Sequence, residues 1–193
     1  MKNILKTVLN LISIILVMPW YLWYRFEKLF IHTDHPFQGM SQFFALFPGL
    51  LGNYLRRAFY YLALPKSSLD CNICFGTILS SENAQIGKRV YIGTNCTIGD
   101  VNIGNDVLLG SNVDIMNGSK QHYIDNIDIP IREQGGEYPK VTIGEDTWIG
   151  NGATVLCNVG KKCVIGARTL VIKPIDDFSI AVGVPARIVK KRK

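Results

Sequence analysis

The side chain best suited to catalysis in this sequence is His122, which lies in a polar segment rich in Gly and Pro. The other two histidines, His32 and His35, belong to an apolar N-terminal region. A neutral imidazole with a pKa of about 6.5 can accept a proton from a hydroxyl group at neutral pH. We therefore predict that His122 is a general base. Asp125, Asp114 or a backbone carbonyl could orient its ring, and a merely solvated loop histidine is the alternative.

The five cysteines predict structural roles rather than catalysis. Cys71 and Cys74 form one CxxC pair, whereas a zinc site of this kind needs a second pair, so we expect no metal. Cys96 and Cys163 fall at small, inward positions of the repeat described next, where Cys acts as a compact apolar residue. Cys157 has no base near it in sequence, and we do not expect a covalent acyl-enzyme.

A six-residue repeat organises most of the chain. An aliphatic residue followed by Gly recurs at Ile86-Gly87, Ile92-Gly93, Ile98-Gly99, Ile103-Gly104, Leu109-Gly110, Ile143-Gly144, Ile149-Gly150 and Ile165-Gly166. This spacing fits neither a helix nor an ordinary strand, and it predicts a solenoid in which each hexapeptide forms one flat side of a coil. The aliphatic residue points inward, and Gly takes the tight corner, where a Cβ would clash.

The repeat is interrupted once, and the interruption contains the histidine. It stops after Ile115 and resumes at Val141, which leaves residues 116–140 as a polar loop extruded from the coil. Long loops in compact domains are often functional, and this favours a catalytic role for His122. We therefore divide the chain into a hydrophobic helical region (1–64), a solenoid domain (65–175) and a C-terminal segment with a basic tail (176–193).

The net charge of +6 is concentrated at the two ends of the chain. Residues 1–64 carry six basic and two acidic groups, and the last seven residues carry five basic groups and no acidic one. A near-neutral body with basic ends argues against a nucleic-acid surface and fits a phosphate-bearing ligand or an anionic membrane. A frayed, solvated terminus is the alternative for the tail.

The N-terminal region is apolar enough to bind a membrane. Thr7 to Tyr24 contains no charge and ends in aromatic residues typical of a membrane interface, and Pro19 is expected to break or kink a helix there. A second apolar stretch, Phe43 to Leu64, contains Arg56 and Arg57, which favour a helix in the headgroup plane over a spanning one. We predict a monotopic or re-entrant anchor, and the alternative is a pair of soluble helices packed on the solenoid.

Several stretches resemble the hexapeptide-repeat acyltransferases, in the branch of galactoside, maltose, nodulation-factor and xenobiotic acetyltransferases. The chain is also similar to membrane-associated acyltransferases of bacterial exopolysaccharide synthesis. The resemblance covers about residues 70–190. It rests on the His122 loop with Ile129-Pro130-Ile131-Arg132, on the segments 141–153 and 164–167, and on the closing segment 181–187.

This resemblance implies a mainly β protein, a left-handed parallel β-helix that assembles as a homotrimer with active sites between subunits. It implies an acetyl-CoA-dependent O-acetyltransferase with His122 as the catalytic base and no metal. The positions that match coenzyme A contacts are Trp148, Asn151, Ala167, Ile172, Lys173, Arg187 and Lys190. We assign Asn117, Asp125 and Arg132 in the loop to the sugar acceptor.

The apolar anchor and the cytosolic donor together predict the acceptor and the location. We expect a lipid-linked saccharide precursor of exopolysaccharide or O-antigen, modified at the cytoplasmic face of the bacterial inner membrane. The alternatives are acetylation of a soluble sugar or xenobiotic, and a membrane-tethered trimeric scaffold without catalysis. A zinc carbonic anhydrase on this fold would need three histidines, and the repeat domain has only His122.

Overall fold

The computed structural model describes residues 2–192, and their side chains from Ile4 onward. Three helices precede the solenoid: α1 (Lys2–Glu27), α2 (His35–Ala45) and α3 (Gly49–Ala63). Fifteen short strands follow, together with one 3-10 turn (Ile131–Glu133). The chain is therefore mainly β after residue 70, as the repeat predicted.

The strands form three sheets, which are the three sides of a parallel solenoid. Sheet C contains β2 (Ile78–Leu79), β5 (Thr97–Ile98), β8 (Asp114–Ile115), β11 (Thr154–Val155) and β13 (Leu170–Val171). Sheet A contains β3 (Gln85–Ile86), β6 (Val101–Ile103) and β9 (Val141–Ile143). Sheet B contains β1 (Asn72–Ile73), β4 (Tyr91–Ile92), β7 (Leu108–Leu109), β10 (Trp148–Ile149), β12 (Val164–Ile165), β14 (Ser179–Val182) and β15 (Arg187–Lys191).

The chain passes from sheet C to sheet A to sheet B in every coil, and single bridges at Val159 and Ile175 continue sheet A. Every described strand pair is parallel except β14–β15, which is an antiparallel hairpin. We call the corner between sheets C and A the CA corner and the corner between sheets B and C the BC corner. The C-terminal residues thus form a strand on sheet B, and the basic tail is not frayed.

The repeat places its residues as predicted. The repeating aliphatic residues are all buried, and the small residues four positions later, such as Val90 and Ala153, are buried with them. The glycines are required because neighbouring coils approach so closely: a Cβ on Gly93 would lie 2.5 Å from the backbone of Gly110. The left-handed backbone conformation occurs two residues after the glycine, for example at Asn112, and seldom at glycine itself.

The N-terminal helices correct two expectations. Helix α1 continues through Pro19 to Glu27, so Pro19 does not end it. Arg56 and Arg57 do not face headgroups, because both are buried where α3 packs on the first coil. For α2 and α3, the alternative of helices packed on the solenoid is the one observed.

Arg56 closes the open end of the solenoid. It is 0% exposed, and its guanidinium donates hydrogen bonds to the carbonyl oxygens of Ile73 (2.7 Å), Phe44 (3.1 Å) and Phe47 (2.6 Å). Burial lowers the pKa of Arg56 from its ordinary value. The guanidinium therefore satisfies carbonyl groups of α2, of the α2–α3 connection and of the first coil, and it joins the helical region to the solenoid as one packed unit.

Candidate active site

The extruded loop leaves the CA corner after β8 and returns to it at β9. Its two legs are joined by backbone hydrogen bonds from Tyr123 to Gly135 (3.0 Å) and from Glu137 to Lys120 (2.8 Å). His122 lies on the outgoing leg with its side chain exposed, between these two bonds. The loop is therefore an ordered arm that presents His122 to the outside of the solenoid.

The surroundings of His122 include a ring that sequence reasoning missed. The Tyr138 ring lies edge-on to the imidazole with a centroid distance of 6.4 Å. Among the described residues, neither Asp125 nor Asp114 hydrogen-bonds the imidazole; Asp125 is exposed and Asp114 lies on the outer face of sheet C. The sequence signal for Tyr138 is weak, because its proximity depends on how the loop folds back.

Asn117 fastens the base of the loop. Its Nδ2 donates to the carbonyl oxygens of Asp100 (2.7 Å) and Pro139 (3.0 Å), and its Oδ1 accepts from the N–H of Asp100 (2.9 Å). These bonds tie both legs to the coil below. Arg132 is largely exposed and 3.5 Å from the carboxylate of Glu133. The acceptor contacts assigned to Asn117, Asp125 and Arg132 stay predictions.

A cavity of about 550 Å³ opens at the loop base. Asn117, Gln121 and Tyr138 of the loop line one side, and Asp34 and Gln38 at the start of α2 line another. The Gln38 side chain also donates a hydrogen bond to the carbonyl of Ser80 in the first coil (2.9 Å). Asp34 and Gln38 were missed from the sequence because they are distant from the loop along the chain.

A second cluster of predicted residues lies at the BC corner. Trp148 on β10 is 53% exposed on the outer face of sheet B, in register with Leu108 and Val164. Asn151 and Ala167 follow β10 and β12 directly, and both are exposed. The indole face of Trp148 is thus open to a ligand next to this corner.

Asn151 and Ala167 present backbone donors. Along the corner, the N–H of Thr94 donates to the Ser111 hydroxyl (3.3 Å), and the N–H of Ser111 donates to Oδ1 of Asn151 (3.1 Å). In each of these bonds, a side chain of the next coil accepts from a backbone N–H group. This pattern ends at Ala167, because its side chain has no acceptor for the N–H of Asn151. Within residues 2–192, the N–H groups of Asn151 and Ala167 donate no hydrogen bond, so both remain available to an oxyanion or a ligand carbonyl.

The predicted phosphate contacts are divided between corners. Arg187 pairs with Val182, whose side chain packs on Gly166, so Arg187 lies above the BC corner. Lys190 follows on β15. Ile172 and Lys173 follow β13 at the CA corner, on the same corner as the His122 loop. All four side chains are exposed, and the three cations form no ion pair with another described residue.

The predicted site residues therefore fall into two groups on one chain, which we call half-sites. His122, Ile172 and Lys173 belong to the CA corner, whereas Trp148, Asn151, Ala167 and Arg187 belong to the BC corner. The two corners are separated by the width of sheet C, about 15–20 Å for one six-residue side. A reaction that needs both sets of residues requires a second subunit or a large movement of the loop.

The cysteines show no nucleophile. Burial raises the pKa of Cys71 to about 11, and its Sγ donates to the carbonyl of Gly87 (3.1 Å). Burial also raises the pKa of Cys157 above its ordinary value, which disfavours a thiolate. All five cysteines are free. In the part of the chain that the structure describes, no group of three His, Cys, Asp or Glu side chains could hold a metal ion.

Comparison with known proteins agrees with this geometry. The family profile described as "Hexapeptide repeat of succinyl-transferase" matches residues 84–116 and 140–171, on either side of the loop. The solenoid therefore carries the repeats of this profile on both sides of the loop. The crystal structure of a maltose O-acetyltransferase from Clostridium difficile 630 superposes with a TM-score of 0.68 over 83% of this chain and 87% of that one. At 24% identity, this likeness shows a shared fold.

Two curated proteins of named activity resemble this hexapeptide-repeat chain. A probable acetyltransferase of Mycobacterium tuberculosis H37Rv is 38% identical over 123 residues, which is 61% of this chain and 40% of that protein. The putative lipopolysaccharide biosynthesis O-acetyl transferase WbbJ of Escherichia coli K12 is 35% identical over 123 residues, with coverages of 60% and 61%. The chain spans about half the length of the curated relatives it matches.

Proposed function

We propose that this hexapeptide-repeat protein is an acetyl-CoA-dependent O-acetyltransferase of sugar hydroxyls. The observation that carries the proposal is the ordered loop 116–140, which holds His122 outside an otherwise regular solenoid. The names of the relatives support the reaction class, since they describe acetyl and O-acetyl transfer. The fold itself hosts the site but does not define the reaction.

The residues at the BC corner fit an acyl donor. The free N–H groups of Asn151 and Ala167 can bind a carbonyl or an oxyanion, and exposed Trp148 can cover an extended ligand arm. Arg187 and Lys190 can meet phosphate groups without first breaking an ion pair. Acetyl-coenzyme A, when bound, supplies an activated thioester, and Lys173 offers a further cation from the CA corner.

The chemistry assigned to the chain is direct transfer. His122 accepts the proton of the acceptor hydroxyl as that oxygen attacks, and the N–H groups of Asn151 and Ala167 stabilise the oxyanion that develops on the acyl carbonyl. The C–S bond then breaks, and the leaving thiolate of coenzyme A takes the proton from His122. No enzyme nucleophile is needed, in agreement with the raised pKa of Cys157. Holding both reactants in place can lower the barrier by roughly 7–11 kcal/mol, so one catalytic side chain suffices.

We further propose a left-handed homotrimer whose sites lie between subunits. The division of the predicted residues between the CA and BC corners supports this assembly, because a neighbour can bring the two sets together. The loop also exposes an apolar tip: Ile127 is 95% exposed and Ile124 is 68% exposed. Exposed isoleucines on an ordered arm are suited to packing on a neighbouring solenoid.

The proposed acceptor is a lipid-linked saccharide precursor of exopolysaccharide or O-antigen at the cytoplasmic face of the bacterial inner membrane. By length and composition, Ile4–Glu27 is the one helix among the described residues that could cross a membrane. The cavity at the loop base is lined by Asp34 and Gln38, at the start of α2, the next helix along the chain. The likeness to WbbJ, named for lipopolysaccharide biosynthesis, supports the same acceptor class.

The test is acetyl transfer by purified full-length protein to saccharide lipids, followed as thiol release and as the mass gain of one acetyl group. His122→Ala is expected to lower kcat by about 10²–10⁴-fold. The matched control is His32→Ala, an exposed histidine outside both half-sites, which should keep wild-type activity. Retention of more than about a tenth of the rate by His122→Ala contradicts the general base role, and an inactive wild type favours the non-catalytic scaffold.

Mixed trimers test the interface. His122→Ala destroys one half-site and Arg187→Glu the other, so subunits of the two kinds complement each other only if each site joins two chains. Random co-assembly should restore about a quarter of the sites in a closed trimer. Absence of any recovery in verified mixed trimers would place the whole site within one subunit.

A further inference from the structure

Helix α1 has one face that packs on the protein and an opposite face that is exposed. Ser13, Val17 and Tyr24 are buried against the body. The opposite face consists of exposed apolar side chains, and its central row lies at positions i, i+7, i+11 and i+18, which fall on one line of a helix. These residues are Ile4, Leu11, Ile15 and Leu22.

The packed face is fixed at both ends, to α3 near its N-terminus and to the first coil near its C-terminus. Near the N-terminus, Arg57 donates to Oδ1 of Asn10. Near the C-terminus, the Tyr24 hydroxyl donates to Glu82, and Lys28 pairs with Glu82 at 2.7 Å. Burial opposes ionisation of Glu82, but the hydrogen bonds from Lys28 and Tyr24 outweigh it and lower its pKa. From Asn10 to Lys28, α1 therefore runs alongside the body for about 27 Å.

This attachment excludes a spanning orientation for α1 in the folded protein. The hydrocarbon core of a bilayer is about 30 Å thick, nearly the length over which α1 contacts the body. If α1 crossed the bilayer, the first coil and its polar loops would be carried into the hydrocarbon. Exposed loop backbone groups at that depth would lose their water partners at a cost of several kcal/mol each.

We propose that α1 lies flat in the headgroup region of a lipid bilayer, with the Ile4–Leu22 row pointing into the acyl chains and the solenoid standing on the membrane. This inference rests on the membrane association proposed above and specifies its geometry. A helix that is buried on one side and apolar on the other matches the interfacial class of membrane helices.

The apolar surface continues beyond α1. The Trp20 ring lies 4.6 Å from the ring of Phe43 on α2, and Phe43 in turn contacts Phe47 at 5.3 Å. Leu46, Leu50 and Leu51 around the α2–α3 connection are each more than 60% exposed. The surface is therefore wider than a single helix, as expected for a membrane-facing base.

Charge complementarity selects lipid over a second copy of the chain. Lys6 and Arg25 are exposed on the same helix as the apolar row. Arg56 and Arg57 are buried and add no charge to this surface. Two copies meeting through this face would bring like charges together, whereas anionic headgroups attract them. The partner that we propose for this surface is therefore an anionic lipid bilayer.

Removal of residues 1–64 cannot test this geometry, because Phe37, Phe44, Phe59 and Tyr60 are fully buried in the core. Single tryptophans on the exposed row avoid the problem. Trp20, Trp23 and Trp148 are replaced by Phe, and Trp is introduced at Ile4, Ile15 or Leu22, one position per variant. Each variant is bound to vesicles of phosphatidylethanolamine and phosphatidylglycerol that carry bromine either near the headgroup or near the chain end.

A flat helix places the three tryptophans at one depth, so their quenching should agree within about 1.5-fold, with stronger quenching by the shallow bromines. A spanning helix places Ile15→Trp deepest and the other two near opposite headgroups; deep bromines that quench Ile15→Trp selectively would overturn the flat geometry alone. The control is a variant that retains only Trp148, high on the solenoid, which should not be quenched. No quenching at any α1 position would overturn membrane association itself.

Discussion

Gly136→Ala is expected to inactivate the enzyme without unfolding it, because it displaces the outgoing leg of the loop, which carries His122. Gly136 lies on the returning leg of the loop, directly opposite the histidine. An added Cβ would lie 1.9 Å from the carbonyl oxygen of Gln121, 2.4 Å from the carbonyl carbon of Gln121 and 3.0 Å from the backbone nitrogen of His122. Nonbonded carbon and oxygen atoms pack at roughly 3.3–3.6 Å, so the legs must separate by about 1.5 Å.

The two legs cannot separate freely. The Tyr123–Gly135 and Glu137–Lys120 hydrogen bonds lie on either side of the contact, and Asn117 holds both legs at the base. The shift therefore falls on the outgoing leg at His122. A misplacement of 1 Å in a catalytic group can cost about 10²-fold in rate, and we expect a loss of that order in kcat. Coenzyme A affinity should change much less than kcat, since the predicted donor contacts at the BC corner do not belong to the displaced loop.

The assay is steady-state acetyl transfer with both substrates varied, with thermal unfolding measured in parallel. Gly39→Ala is the matched control, because a Cβ there has no atom within 4 Å and should leave kcat unchanged. In the interior of α2 this substitution should raise, not lower, the melting temperature. Wild-type kcat in Gly136→Ala, with the fold intact, would show that the position of His122 is not critical. A large drop in the melting temperature would instead assign the loop a structural role.

Two further predictions follow from the buried and the exposed arginines. Arg56→Met should lower the free energy of unfolding by about 3–5 kcal/mol, since three carbonyl groups lose a charged donor. The control Arg89→Met removes only an exposed pair with Asp106 and should leave the free energy of unfolding nearly unchanged. Denaturant unfolding in detergent measures both variants, and equal losses would contradict the capping role of Arg56. Arg187→Glu should weaken coenzyme A binding by more than about tenfold at low ionic strength and less at high salt, and an affinity that is unchanged in calorimetry would remove Arg187 from the site.

The fold could be predicted because it is periodic. The Ile-Gly spacing identified the inward residues and the tight corners, and the interruption at 116–140 identified the loop. The function of Gly at each corner was also predicted correctly, since the clash at Gly93 is with the next coil. These features depend on residues close in sequence or on an exact repeat, and both are visible in one sequence.

The parts that could not be predicted depend on contacts between distant segments. Arg56 was expected at the membrane surface because a charge in an apolar stretch usually avoids burial; its carbonyl partners at Ile73 and Phe47 become neighbours only when α3 packs on the first coil. Tyr138 meets His122 only because the loop folds back. The free N–H of Asn151 depends on the side chain that the next coil happens to supply, and that side chain is Ala167.

The flat anchor and the position of the loop together limit which acceptor hydroxyl the site can reach. Helix α1 contacts the first coil, and the loop leaves β8, two coils above β2 in sheet C. Parallel strands are spaced about 4.8 Å apart, so the loop base lies roughly 10 Å above the first coil.

The cavity at this base reaches down to Ser80 and Ser81 of the first coil and to Asp34 beside the anchor. With α1 in the headgroup region, the cavity opens close to the membrane surface. A hydroxyl on a sugar next to the lipid phosphate can therefore enter it, whereas the outer sugars of a long chain extend past it. We therefore expect the proposed site to accept the membrane-proximal sugars of a lipid-linked saccharide.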